Sequence, residues 1–336
     1  KRIYQSDEFP DITKSPLPDY SIVKSGSYAT AAIQYSRGCP YDCEFCDITA
    51  LFGRKVRTKT PGQIIAELSQ LYDRGWRGGL FFVDDNFIGH KKKLKDDLLP
   101  VIIEWMESRG NPFRFITEAS IDLSDDKELM DMMVRAGFAK VFIGIETPEE
   151  NCLMECNKLN NKGRDLLDCV NMIQGKGMEV QAGFIVGFDN DPPNIFQRQI
   201  DFIQKSGIIT AMVGLLNAPR LSKLHRRLEN EGRIIDNFSG DNTNYSMNFI
   251  PAMDKDELMK GYKKIISSVY SCKAYYDRML LFLKNYNPPN SEPMTFNKVM
   301  AVIKSIVILG ILAEKRRYFW KIFFWSVYKK PKAFPL

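Results

Sequence analysis

The chain has 336 residues, 47 basic and 41 acidic, with a net charge of +6 and a hydrophobic share of 44%. This composition excludes a disordered polymer, the seven cysteines are too few for a disulfide scaffold, and no apolar run reaches the roughly 20 residues that span a bilayer. Residues 295–336 carry a net +8 and the rest of the chain sums to −2, which disfavours a uniformly basic nucleic-acid binder.

Residues 1–30 are rich in Pro, Asp and Ser, lack a hydrophobic period and read as a linker or arm. The chain opens at Lys1 and stops just after an aromatic-rich stretch, so a middle section of a longer polypeptide is expected. From Ala31 onward, short apolar runs alternate with amphipathic stretches. Strands are predicted at Ala31–Tyr35, Leu80–Val83, Phe113–Thr117, Val141–Ile145, Val180–Val186 and Ala211–Leu216. Helices are predicted to start near Pro61, Lys91, Asp125, Gly163 and Asn194. A repeat of about 30 residues is that of a β-α unit, and six of them predict an α/β fold, a partial (βα)6 TIM-like barrel over 31–231. An open doubly wound sheet is the alternative. After Glu231 the rhythm breaks into a loop and helical region over 232–294, placed on the substrate side, and then a basic, aromatic helical tail over 295–336.

A barrel of this kind puts its chemistry at the C-terminal ends of strands. Those positions hold Arg37-Gly38-Cys39, Asp84-Asp85-Asn86, Glu118, Glu146 and Asp189-Asn190-Asp191. Cys39, Cys43 and Cys46 follow the first strand with Cys-x3-Cys-x2-Cys spacing. Three thiolates so close suit zinc or an iron–sulfur cluster. A structural zinc site wants a fourth Cys or His at similar range, and His90 and His225 both lie elsewhere. Three ligands on a cubane leave one iron open, as a catalytic metal needs.

The run Tyr35-Ser36-Arg37-Gly38-Cys39-Pro40-Tyr41-Asp42-Cys43-Glu44-Phe45-Cys46, including the aromatic Phe45 before the last cysteine, resembles the radical S-adenosylmethionine superfamily. The resemblance implies a 4Fe-4S cluster on Cys39, Cys43 and Cys46. It also implies S-adenosylmethionine on the open iron, cleaved by one electron to a 5′-deoxyadenosyl radical that abstracts hydrogen from the substrate. Phe45 joins the cofactor-binding set. Asp84, Asp85 and Asn86 occupy the position that receives the methionine amino group, and the Asp-Asp-Asn form resembles the cobalamin-dependent subgroup. Glu118 and Glu146 are candidates for ribose hydroxyls or the cofactor ammonium. Gly183-Phe184-Ile185-Val186-Gly187 matches the adenine-side motif, with Gly183, Ile185 and Gly187 as its contacts and Asp189 where the family has a trailing Glu. No substrate-contacting catalytic residue is assigned.

Met247-Asn248-Phe249-Ile250-Pro251, Tyr275-Tyr276-Asp277-Arg278 and the loop Ser239–Thr243 resemble the C-terminal region of a cobalamin-dependent subfamily that includes hopanoid-type lipid methylases. That resemblance implies a cobalamin-binding domain before residue 1, an electron donor such as flavodoxin or ferredoxin, and methylation of an unactivated carbon on a small molecule or lipid. The alternatives are radical chemistry without a corrinoid, and a non-catalytic zinc or cluster protein at a membrane. The tail's Trp, Tyr, Lys and Arg suit either an interfacial helix on anionic lipid or packing on the barrel, with a cytoplasmic chain peripheral on the inner membrane face. Cys152, Cys156 and Cys169 read as incidental or core residues, and Cys272 as a buried small apolar one, with a reactive thiol on the substrate side as the alternative. The run Arg54, Lys55, Arg57, Lys59 reads as a solvated face or as electrostatic support for the cluster.

Overall fold

The computed structural model describes residues 8–24, 27–237, 240, 245–288 and 296–334, with nothing said of side chains at 296 and 297. Six parallel strands form one sheet: β1 Thr30–Ile33, β2 Gly79–Phe82, β3 Arg114–Ala119, β4 Phe138–Glu146, β5 Glu179–Val186 and β6 Ala211–Leu215. They pair strictly in chain order. A doubly wound sheet reverses its strand order at a switch point, and this sheet has no reversal. The fold is the expected singly wound, partial α/β barrel.

The barrel helices are α1 Pro61–Asp73, α2 Leu99–Glu107, α3 Lys127–Ala136, α4 Leu166–Gly175 and α5 Ile195–Ser206. Thr60 and Gln63 form a reciprocal capping box ahead of Pro61, which fixes where α1 begins. Gly137 ends α3 in a left-handed conformation. Period-two alternation divides the sheet into two faces. Leu80, Phe82, Phe115, Val141, Ile143, Val180, Ala182 and Phe184 are buried and share one core with helix residues such as Ile64, Leu68, Ile102, Leu129, Val170 and Ile203. Each such burial contributes about 1.5–3 kcal/mol. The other face carries Phe81, Ile116, Glu118, Phe142, Gly144, Gly183, Ile185 and Gly214, none fully buried. This inner face is where a ligand has room.

Residues 8–24 are docked on the barrel. Ile12 is buried, Gln63 donates to the Thr13 and Ser15 carbonyls, and the Tyr20 hydroxyl donates to Ala32 of β1. Beyond the barrel come α6 Lys223–Asn230, α7 Lys255–Val269 and α8 Cys272–Asn285. The buried Arg278 guanidinium donates to Val269 and Ile209 carbonyls and to Gln204, locking these helices to the barrel. Cys272 is exposed at the first turn of α8, not buried as expected, because the N-terminal turn of that helix projects from its packed face.

The tail forms helix Phe296–Ser305, a wider turn Ile306–Leu312 and α9 Arg316–Lys329. Ile322 and Trp325 pack against Phe282, Leu283 and Tyr286 of the α8 region. Ile303, Val307, Ile308, Leu309, Ile311, Leu312 and Phe324 are exposed. Among the described residues, no helix is long and apolar enough to cross a membrane. Part of the predicted loop Ser239–Thr243 lies outside the described residues.

Candidate active site

The cysteine loop begins at a turn only glycine fits. Gly38 has φ +96°, and a Cβ there would stand 2.9 Å from the carbonyl oxygens of Gly53 and Lys55. Asp85 accepts the Gly38 N–H at 3.0 Å and so holds the turn from the end of β2. Asp84 is fully buried. Its carboxylate accepts from Tyr35 N (3.1 Å), Ser36 N and Ser36 Oγ, and burial pushes its pKa up to about 7. Asp84 is therefore a strut under the loop, and both its oxygens are engaged. Asn86 heads the short 3-10 turn Phe87–His90 but does not cap it. Its side chain exchanges hydrogen bonds with Ser120 at the end of β3 and faces Cys39.

Two later elements clasp the loop from outside. The Glu44 N–H donates to the Cys156 carbonyl, and Asn157 Nδ2 donates to the Asp42 carbonyl at 2.9 Å. On the other side, Leu224 N donates to the Glu44 carbonyl, Arg227 pairs with the Glu44 carboxylate at 2.7 Å, and Lys223 pairs with Asp42. Arg227 and Arg233 also grip Asp189, holding its carboxyl below the usual range despite partial burial. Asp189 is thus occupied by arginines.

All three loop cysteines are free thiols, with Cys43 buried and the other two half-buried. Burial raises each one, Cys46 to about 12, while Lys158 pulls each back down. Among the described residues, no three His, Cys, Asp or Glu side chains converge on a single metal ion. A cubane asks for less convergence, since each thiolate binds a different iron. Three free thiols on one braced loop beside an ammonium fit such a cluster, and bound iron would ionise them.

Lys158 was not legible in the sequence. Its Nζ donates to Glu146 Oε1 at 2.9 Å. Burial opposes its charge, but Glu146 and then Cys43 outweigh it and hold the ammonium above its ordinary range. The pair rests on a bulge: Gly144 pairs with Gly183, Glu146 with Phe184, and Glu146 has φ +64°. A Cβ on Gly144 would fall 2.2 Å from Glu146 Oε1 and 2.9 Å from Lys158 Nζ, so the glycine vacates the inner face for this ion pair. Phe45 lies beside it, edge-on to Phe188 and 6.0 Å from Lys158 Nζ. Glu118, on the same face, has no hydrogen-bonding partner for its carboxyl among the described residues. Burial, with Asp85 nearby, pushes its pKa up to about 7.

Gly183 lies between the Phe142 ring and Glu146, and Ile185 shares its face. Gly187 (φ +108°) does not join them. It turns beneath Met247 and Leu258, with its N–H held by Asp191. Cys152 donates to Asp191 and Cys156 to the Leu153 carbonyl, so this pair forms no thiol site. Within the basic run, Lys59 is buried against Glu67 at 2.5 Å rather than solvated. The structure thus gathers the three cysteines, Phe45, Asp85, Asn86, Glu118, Glu146 and Gly183 around one mouth, and adds Lys158 and Ser120.

The profile of the radical SAM superfamily matches residues 33–203, and that of a domain of unknown function, DUF4070, matches residues 222–336. An uncharacterized methyltransferase of Synechocystis is 38% identical over 99% of this chain and 63% of its own length. The hopanoid C-2 methylase of Rhodopseudomonas palustris is 33% identical over 95% of this chain and 61% of its own. The chain therefore spans less than two thirds of the length of these curated relatives. Among solved structures, the cobalamin-dependent S-adenosylmethionine radical enzyme OxsB superposes with a TM-score of 0.59 at 14% identity, covering 95% of this chain and 53% of that one. At that identity the likeness is one of fold.

Proposed function

The chain belongs to the radical SAM superfamily, and from that premise we propose that it is the barrel and C-terminal part of a cobalamin-dependent methylase acting on an unactivated carbon. The single observation that carries the reading is the braced three-cysteine loop facing the Glu146–Lys158 pair. When bound, the 4Fe-4S cluster and S-adenosylmethionine supply one-electron cleavage to a 5′-deoxyadenosyl radical, and methylcobalamin supplies the methyl group. The chain's own residues bind and orient. Cys39, Cys43 and Cys46 hold the cluster, and Asp85 and Asn86 fix the turn that presents Cys39. Glu146 and Glu118 offer acceptors to ribose hydroxyls or an ammonium, and Lys158 offers an ammonium to a carboxylate. Phe142, Gly183 and Ile185 give a flat, apolar seat suited to an adenine ring.

A lipid substrate and a place on the inner membrane face belong to the same reading. The exposed apolar residues Ile308, Ile311, Leu312 and Phe324, set among Lys315, Arg316, Arg317 and Lys321, support interfacial contact with anionic lipid. The relatives' names, methyltransferase and hopanoid methylase, support the methylation step.

The test is anaerobic reconstitution of the full-length protein. About four irons and four sulfides per chain are expected. Deoxyadenosine should form under dithionite, and label from methyl-labelled S-adenosylmethionine should enter a lipid extract. Cys43→Ala should abolish cluster and cleavage together. Retained cleavage in that variant would refute the cluster assignment. Cleavage without methyl transfer in the corrinoid-loaded full-length enzyme would refute methylation.

A further inference from the structure

A groove of about 530 Å³ lies against the outside of the cysteine loop. Pro40, the residue after Cys39, forms part of its wall, together with Arg54, Lys55, Arg57, His90 and Lys93. The one acid in its lining, Asp11, spends its carboxylate on the Thr13 N–H and hydroxyl.

Several cations elsewhere on the barrel are matched by carboxylates within 3.0 Å: Lys91 by Asp122, Lys95 by Asp126 and Glu128, Lys140 by Glu179, Lys176 by Asp131. In the groove they are not. Arg57 donates to the Pro10 and Phe52 carbonyls, and Lys93 donates to the Thr58 hydroxyl. Arg54 donates to the Pro40 carbonyl and reaches Asp42 only at 3.9 Å, while Lys55 has no ion pair among the described residues. Arg37 adds to the positive field at Arg57. Half-exposed Phe9, 4.7 Å beneath the Arg57 guanidinium, gives the rim an apolar contact. Basic, aromatic and short of counter-charge, the surface is built for a macromolecule bearing acids.

Its location specifies the acid-bearing partner. Segment 53–57 separates the groove from the first cluster cysteine, and the Cys39 N–H donates to the Gly53 carbonyl across that plate. Electron tunnelling falls off exponentially with distance, so a redox protein docked here meets the cysteine loop by a short covalent and hydrogen-bonded path. We propose that this groove docks the acidic face of a flavodoxin-like one-electron donor. The donor gives up one electron, the cluster held by this loop accepts it, and no bond forms or breaks. The inference rests on the radical SAM reading and adds the place where the reductant binds.

The test uses reconstituted full-length protein and a bacterial flavodoxin, with binding measured by interferometry over a salt series. Binding should weaken steeply with salt. Lys55→Glu/Lys93→Glu should weaken it about tenfold at low salt, and Lys55→Glu alone, which has no partner to lose, about threefold. Dithionite-driven deoxyadenosine formation and the melting temperature of Lys55→Glu should stay at wild-type values. Undetectable flavodoxin binding by the wild type, or binding insensitive to both charge reversals, would overturn the docking site. So would a groove saturated by pyrophosphate with flavodoxin binding unaffected, which would make it a small-anion site. Loss of dithionite-driven cleavage in the wild type would instead strike the radical reading itself.

Discussion

The Lys158 ammonium lies 2.9 Å from Glu146 Oε1 and within electrostatic reach of Cys39, Cys43 and Cys46. One cation thus serves a carboxylate on β4 and the thiols of the loop after β1. Both partners' side chains are largely buried, at 15% and 9% exposed, so removing one strands the other. Lys158→Met should destabilise the apoprotein by about 3–5 kcal/mol in urea melts. Lys158→Met/Glu146→Gln should recover most of that loss, since neither charge is then left alone. Additive losses in the double variant would show that the pair is not coupled.

Gly38 makes a second prediction, on the loop's backbone. Gly38→Ala must place a Cβ 2.9 Å from two carbonyl oxygens while holding φ +96°. A loss of roughly 1–3 kcal/mol is expected, with lower iron uptake on reconstitution. Gly62 is the control. It sits in the first turn of α1, and apart from its chain neighbours and the backbone of its own helix no heavy atom lies within 4 Å of the place an added methyl group would take. Gly62→Ala should therefore be neutral or stabilising by about 0.5–1 kcal/mol.

Glu118 sets a pH dependence. Its folded-state pKa of about 7 lies above the ordinary 4.5 because burial disfavours the carboxylate. Its contribution to stability is fully present below pH 4.5 and is lost as pH rises through 7. Glu118→Gln should leave the apoprotein's stability unchanged near pH 4.5 and raise it by about 1–2 kcal/mol at pH 8, the shift being discounted for partial exposure. Denaturant midpoints at the two pH values read this directly. A variant with the same effect at both would contradict it.

The tail offers a contrast between two aromatic positions. Phe324 is half exposed, whereas Trp325 packs on the α8 cluster. Leu312→Glu/Phe324→Glu should cut partition onto phosphatidylglycerol vesicles by about tenfold or more with little change in melting temperature. Trp325→Ala should do the reverse, costing about 2–4 kcal/mol of local stability. Sedimentation with vesicles and thermal melts separate the two.

The six strands were legible because each is a short apolar run bounded by turn residues, and Glu118 and Glu146 because they are the charged residues that end such runs. What could not be read is where a side chain goes once the chain returns. Arg227 reaches Glu44 across 183 positions, and no local period announces it. Lys158 looks like any lysine after a short helix until the β4 bulge turns Glu146 towards it. Asp84 and Asp85 are neighbours of the same chemistry, yet strand alternation buries the first as a strut and leaves the second at the Gly38 turn. Gly187 fits the motif by spacing but is carried under Met247 by the turn after β5. Asn157, left-handed at φ +55°, turns the chain back towards the cysteine loop, and no motif read from the sequence points to it.

The later of the two outer clasps on that loop comes from Lys223 and Arg227, and Arg227 shares Asp189 with Arg233. On the ribosome, the three cysteines emerge well over a hundred residues before this later pair of fastening side chains. Until the segment through Arg233 is made, the loop has only its braces from Asp84, Asp85 and the Cys156–Asn157 turn. A chain cut before that point would keep all three loop thiols and lose one of the two clasps that hold them.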